Sequence, residues 1–376
     1  MEILDSLVIG AGQAGLSASH HLKRRGIDHV VLDADEAPGG AWQHRWDSLT
    51  MRDVHGVAAL PDSDPPEEDG RANAVVPAYF AAYERDHDLP VVRSIRVDRV
   101  ESTPAAGTGT ATGTAAGAVD REGLLVVRAG DRTWTTRTLV NATGTWSHPY
   151  VPYYPGIETF RGEQLHTHAY PGADHFRGRR TVVVGGGASA VQLLGELALV
   201  TDVLWVTRRP PVWRTSDFTP EAGRAAVALV EERVRRGLPP ASVVSVTGLA
   251  LRPQEEAARR LGVYDRRRPM FASIEPEGVR WADGTVQPVD AILWATGFRP
   301  AVGHLAPLRL RGPAGGIQLD RAGTTSVVDP RVQLVGYGPS ASTIGANRAG
   351  RAAARGVAMW LAVHAAGSVP EEEAAG

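Results

Sequence analysis

Leu7-Val8-Ile9-Gly10-Ala11-Gly12-Gln13-Ala14-Gly15 is the stretch that decides the fold. An apolar run leading into Gly-x-Gly-x-x-Gly reads as a β-strand turning into a helix, with glycines where backbone must approach a pyrophosphate. Ala14, Ala18 and Leu22 recur on one face of that helix, Gly26 closes it, and Val30-Val31-Leu32 supplies the next strand. The pattern returns 175 positions later, where Val182-Val183-Val184 leads into Gly185-Gly186-Gly187-Ala188-Ser189-Ala190. Val191, Leu194 and Leu197 give the helical period there, and Val203-Leu204-Trp205-Val206 the strand. The two copies predict an α/β chain with two Rossmann-like dinucleotide-binding domains.

The two units end in opposite charges. Asp33 stands 23 positions after Gly10, and Arg208 stands 23 positions after Gly185. A carboxylate at this place hydrogen-bonds ribose hydroxyls, whereas a guanidinium suits a 2′-phosphate. Asp35 is near enough to share the ribose role, and Arg209 strengthens the phosphate reading. The simplest pair of ligands is FAD in the first unit and NADPH in the second. Gly10, Gly12, Gly15 and Asp33 are the expected FAD contacts; Gly185, Gly187, Ser189, Arg208 and Arg209 are those for NADPH.

Composition narrows the chemistry. The 376 residues include no cysteine, so electron transfer through a thiol pair, sulfenate peroxidase chemistry and Cys-based zinc sites are excluded. A net charge of −2 gives no general attraction to nucleic acid or to anionic membranes. No apolar stretch is long enough to span a bilayer, and Met1-Glu2-Ile3-Leu4-Asp5 lacks a signal-peptide layout, so a cytoplasmic protein is expected. Oligomeric state is not legible.

The expected organisation is discontinuous, with residues 1–150 and 299–376 forming the FAD domain and 151–298 the inserted NADPH domain. Leu139-Val140-Asn141-Ala142-Thr143-Gly144 ends a strand on glycine, and the proline-rich run from Pro149 to Pro155 follows as a linker. Ala291 to Pro300 closes the second unit in the same way. Gln333-Leu334-Val335-Gly336 reads as a strand, followed by a helix from about Gly345 to Ala365. The Ala/Gly/Thr tract from Thr103 to Ala118 reads as a surface loop; its Ala111-Thr112-Gly113 lacks a preceding strand and is a decoy of the Ala-Thr-Gly turns.

Further motifs give a resemblance. Gly39-Gly40-Ala41-Trp42 resembles the GG-x-W element of class B flavin-dependent monooxygenases. Phe160-Arg161-Gly162, His166 and Tyr170 follow that family's F-x-G-x-x-x-H-x-x-x-(Y/F/W) signature. Ala142-Thr143-Gly144 and Ala295-Thr296-Gly297 are similar to its turns at the domain crossings. The likeness covers nearly the whole chain. It implies hydride transfer from NADPH to flavin, capture of dioxygen as a C4a-(hydro)peroxyflavin, and oxygenation of a small organic substrate. It adds Gly40, Trp42, Thr143, Gly144, Thr296 and Gly297 to the expected cofactor contacts. Gly336 and the turn Thr343-Ile344-Gly345-Ala346-Asn347 join them, with amides facing the flavin's pyrimidine edge.

The signature ends in Tyr170-Pro171, half of the N- and S-oxygenating pattern and half of the Baeyer–Villiger one. The shortness of the chain favours heteroatom oxygenation. A Baeyer–Villiger oxygenase, a flavin oxidase or reductase without oxygen insertion, and a non-catalytic FAD-binding regulator stay as alternatives. Asp53, Asn73 and His55 are the candidate catalytic side chains, each with an ordinary loop or helix-entry reading beside it. His166 is expected to brace the turn between domains rather than act as a base. His20 and His21 are expected on the solvent side of the first helix. His166 and His168 lack the further ligands a metal needs. Arg177, Arg179, Arg180 and the run Arg266-Arg267-Arg268 read as solvated faces, with the option that one lines the NADPH channel.

Replacing Arg208 with alanine should raise the KM for NADPH far more than that for NADH. Steady-state kinetics with both nucleotides check this, and equal changes would remove the phosphate assignment.

Overall fold

The computed structural model describes residues 2–54, 57–103, 123–214, 220–240 and 248–365. Its first sheet is built on β1 (Ile3–Ile9), β2 (His29–Leu32) and β3 (Val91–Val92), with helix α1 (Gln13–Lys23) between the first two strands and α2 (Ala72–Asp86) before the third. β4 (Arg99–Ser102), β5 (Leu125–Ala129) and β6 (Arg132–Asn141) complete the path in the order β3-β2-β1-β6-β5-β4. β1 runs parallel to both β2 and β6, while β4, β5 and the start of β6 form an antiparallel meander.

The second sheet takes over after β6. It consists of β7 (Glu163–His166), β8 (Thr181–Val184), β9 (Val203–Thr207), β10 (Arg268–Pro269) and β14 (Ala291–Trp294), in the all-parallel order β10-β9-β8-β14-β7. Helix α3 (Ala188–Leu197) joins β8 to β9. Helices α4 (Pro220–Arg235) and α5 (Glu256–Arg260) and the antiparallel sheet β11 (Ser273–Glu275), β12 (Gly278–Arg280) and β13 (Val286–Pro288) fill the rest. The chain then returns to the first sheet, where β15 (Val332–Leu334) pairs with the end of β6, and it closes with α6 (Thr343–Ala365). The fold is therefore two Rossmann-like units, the second inserted into the first.

Strands covered on both faces must be apolar throughout, which is why these read as unbroken runs. Val8 faces the cluster beneath α1 and α6, while Leu7 and Ile9 face a second cluster with Leu32, Leu139, Leu305 and Leu308. In the second sheet Val183 and Leu293 pack towards α3, and Val182, Val184, Ile292 and Trp294 pack on Phe271 and Trp281.

α1 and α6 lie close because small residues line their contact. A Cβ at Gly350 of α6 would stand 2.7 Å from the Ala18 backbone nitrogen and closer still to Ser17 Oγ. This packing corrects one expectation. His20 and His21 are buried, because α1 is covered on several sides. His20 Nε2 lies 3.2 Å from Asp62 Oδ2 and its ring packs against His87 and Tyr83. Burial pulls His21 down to about 4. A second correction concerns the C-terminal helix, which starts at Thr343; the segment from Thr343 to Asn347 is its beginning, not a turn ahead of it. Much of the Ala/Gly/Thr tract, including Ala111-Thr112-Gly113, lies outside the described residues. No described helix is long and apolar enough to cross a membrane.

Candidate cofactor-binding and active site

Each fingerprint builds the same device. In the first, a Cβ on Gly10 would stand 2.6 Å from the carbonyl oxygen of Ala142, and one on Gly15 would overlap the carbonyl of Gly10. In the second, a Cβ on Gly185 would overlap the carbonyl oxygen of Ala295. The glycine turns are thus pressed against the Ala-Thr-Gly turns, and no side chain fits between. The open side is the opposite one. Among the described residues nothing lies within 4 Å of a Cβ built on Gly12 or Gly187, the N-caps of α1 and α3, and neither helix start has a side-chain cap.

An uncapped helix start leaves backbone N–H groups without intrahelical partners at the positive end of the macrodipole. Two such starts, each opening on a glycine-lined space, fit two pyrophosphates. The first cradle has two more features of a ligand site. Gln13, the first residue of α1, donates through Nε2 to Ala58 O at 2.8 Å, yet its buried Oε1 has no partner among the described residues. Gly40 brings the GG-x-W loop against the turn, since its Cβ would lie 2.9 Å from Gly12 Cα. Gly336 closes the same corner from the C-terminal side, 3.7 Å from Gly144 and 3.8 Å from Ala14 by the same construction.

Asp33 directly follows β2. Its carboxylate accepts the Ala11 and Asp35 amides and lies 3.1 Å from Arg93 Nη1, a cation that the sequence pattern did not point to. Arg208 and Arg209 are exposed at the end of β9. Here the Arg266–Arg268 run is corrected in part. β10 pairs beside β9, so Arg267 Nη1 donates to Thr207 Oγ1 at 3.1 Å, next to Arg208, and only Arg266 stays a solvated residue. Arg268 sits over the Trp281 ring at 3.8 Å.

The crossings between the units are tied reciprocally. Thr143 Oγ1 donates to Ala301 O at 2.6 Å, and Thr296 Oγ1 donates to Tyr150 O, so each Ala-Thr-Gly threonine grips the other connection. Three backbone bonds of 2.9 Å, from Tyr150 to Gly297, from Arg299 to His148 and from Ala301 to Gly144, join the two connections. His166 braces this junction. Its Nδ1 accepts the His168 amide at 3.1 Å, so the proton is on Nε2, which donates to Gly297 O at 3.0 Å. Burial lowers its pKa and keeps the ring neutral. Asn141 Oδ1 accepts from His304 Nε2 at 2.7 Å at the same junction, a pair that nothing in the sequence announced.

The candidate catalytic residues are otherwise engaged. Asp53 Oδ2 accepts the Thr50 amide at 2.9 Å and its hydroxyl at 2.6 Å, and Oδ1 accepts from Gln254. Asn73 Nδ2 donates to Arg45 O and to Asp47 Oδ1 at 3.0 and 2.7 Å. His55 lies outside the described residues. Asn347 is held between Gln13 and Ala59 O. Tyr170, the aromatic of the signature, donates to Glu196 Oε2 at 3.1 Å; Ser48 of the first unit donates to the same carboxylate at 2.8 Å. Burial raises the Glu196 pKa. No group of histidine and carboxylate side chains among the described residues could hold a metal ion.

Comparison with known proteins agrees with this geometry. Residues 4–336 match the model of the pyridine nucleotide-disulphide oxidoreductase family. A flavin-containing monooxygenase from Stenotrophomonas maltophilia is 36% identical over 96% of this chain and 99% of its own, with a TM-score of 0.78. The uncharacterized oxidoreductase CzcO of Bacillus subtilis is 24% identical over 78% of this chain and 81% of its own. A Baeyer-Villiger monooxygenase of Streptomyces coelicolor is 30% identical over 62% of this chain but 42% of its own. The chain belongs to the pyridine nucleotide-disulphide oxidoreductase family and, within it, to the class B flavin-dependent monooxygenases. It is an oxidoreductase whose cofactors are FAD and NADPH. With no cysteine in the sequence, the disulphide half of the family name has no counterpart here.

Gly12→Ala and Gly15→Ala separate binding from folding. Gly12→Ala should leave apoprotein stability within about 0.5 kcal/mol and weaken FAD retention, because its Cβ enters only the open cradle. Gly15→Ala should destabilise the fold itself, by roughly 1–3 kcal/mol, through collision with Gly10. Denaturant melts and flavin content check this; equal destabilisation by both would contradict the cradle.

Proposed function

We propose that this flavin-dependent monooxygenase oxygenates a nucleophilic nitrogen or sulfur of a small organic substrate, with FAD on α1 and NADPH on α3 and the division between units near residues 150 and 298. Bound FAD and NADPH supply hydride transfer and the activation of dioxygen. The chain's part is to hold the two pyrophosphates on uncapped helix starts, fix the relation of the two units through Thr143, Thr296 and His166, and keep water from the reacting face.

The observation that carries the N/S reading is the state of Asp53. The Baeyer–Villiger branch implies a flavin-side carboxylate there, free to position a cation or the nicotinamide amide. In this chain both oxygens of Asp53 are taken by Thr50 and Gln254, and its carbonyl accepts from Gln192 and Arg252. A soft nitrogen or sulfur nucleophile needs positioning and dryness more than a poised carboxylate. Asp53 then acts as a tie between the 50–53 loop and the second unit, and Asn73 as a brace of the 45–47 loop.

The test is rapid mixing of NADPH-reduced holoprotein with oxygenated buffer, with and without NADP⁺, followed by product analysis with a thioether, a tertiary amine and a cyclic ketone. The expected result is a persistent species absorbing between the bands of oxidised and reduced flavin, and sulfoxide or N-oxide without lactone. Immediate return to oxidised flavin with stoichiometric hydrogen peroxide under both conditions would favour an oxidase; lactone as the main product would favour Baeyer–Villiger chemistry.

A further inference from the structure

A half-buried charge beside the first cradle has no carboxylate partner among the described residues. Arg45 follows the GG-x-W element, and its guanidinium lies 4.4 Å from the ring centroid of Trp146 and 5.6 Å from that of Trp42. Among the described residues it has no carboxylate within 4 Å, and its buried Nε has no hydrogen-bond partner. Aromatic faces stabilise a cation by roughly 0.5–2 kcal/mol but cannot satisfy its five donors. Burial lowers its pKa to about 10, which still leaves it charged at neutral pH. A guanidinium held on two indole rings, with a buried, unpartnered Nε and no carboxylate beside it, is open to an anion from outside the protein.

The surroundings say what that would be. Arg45 lines a cavity of about 490 Å³ between the two units, with Trp46, Tyr170 and Pro171 as apolar wall. The cavity also carries three carboxylates, each with protein partners: Asp47 with Arg71 and Asn73, Asp174 with Arg177, and Glu196 with Ser48 and Tyr170. Such a wall repels a dianion and tolerates one negative charge at the guanidinium. It is also the wrong end for a dinucleotide. Glu196 stands in the last turn of α3, about 12 Å along the axis from the amides that face the pyrophosphate. Trp42 and Trp146, by contrast, follow Gly40 and Gly144, the residues that close the FAD cradle.

We propose that Arg45 anchors the carboxylate of the organic substrate, so that this enzyme takes small monocarboxylic acids, their apolar part lying against Trp46 and Tyr170. The guanidinium fork gives two parallel bonds to a carboxylate, and the tryptophan rings hold the fork flat. The inference deepens the oxygenase reading by naming its substrate class and rests on that reading.

Isothermal titration of oxidised, FAD-loaded enzyme with phenylacetate and its neutral isostere phenylacetamide tests it without turnover, so a failure here leaves the oxygenation chemistry untouched. The wild type should bind the acid at least about tenfold more tightly than the amide. Arg45→Gln should abolish that preference while amide affinity, flavin content and the KM for NADPH stay as they were. Arg45→Lys, which keeps the charge and loses the fork, should retain part of the preference, and it carries the test if Arg45→Gln does not hold FAD. Equal binding of acid and amide by the wild type overturns the inference. So does a preference that survives Arg45→Gln, or a tenfold rise in the NADPH KM, which would give the guanidinium to the nucleotide.

Discussion

The contact between a glycine turn and the carbonyl of a crossing strand carries the rest of this structure. Gly10 against Ala142 and Gly185 against Ala295 leave no room for a Cβ, and this fixes where each following helix begins. Because the turn is held from behind, the amides of α1 and α3 face outwards without side-chain caps. An uncapped helix start is ordinarily a small loss of stability. Here the same unsatisfied N–H groups are the ones a pyrophosphate would take, as the proposed function has it.

The carbonyls that press on the glycines belong to the Ala-Thr-Gly turns, and those turns are also the connections between units. The residues that shape the cradles are therefore also those that set the domain geometry. Thr143 and Thr296 reach across to the opposite connection, and His166 holds the second turn through a neutral ring of fixed tautomer. Around this junction Trp146 stacks on Phe298 at 4.9 Å, and the Phe298 ring meets His166 edge-on at 4.9 Å. Ser48, Tyr170 and Glu196 tie the units again at the wall of the cavity. A change at either connection would be felt at both cradles.

How much of this was legible follows from the range of each interaction. The sheets, α1, α3 and the turns were readable because their constraints are local: strand burial writes itself as apolar runs, and close approach as glycine. The buried His20 and His21 were misread because their covering comes from the distant loop at Asp62, α2 and α6, which α1's own sequence cannot record. Arg267 was misread for the same reason, since pairing of β10 with β9 brings it to Thr207 across 60 positions. Arg45, Arg93, Glu196 and the Asn141–His304 pair gave no signal at all. Each becomes informative only beside side chains from other elements, and Arg45 only through the absence of a counterion among them.

The central claim is that the two cradles hold two different dinucleotides at once, FAD on α1 and NADPH on α3. Calorimetric titration tests it most directly: FAD into apoprotein, then NADP⁺ into the FAD-loaded protein. The account predicts one FAD and one NADP⁺ per chain, bound together, with neither displacing the other. Displacement of FAD by NADP⁺, or uptake of a second FAD in place of NADP⁺, would contradict it.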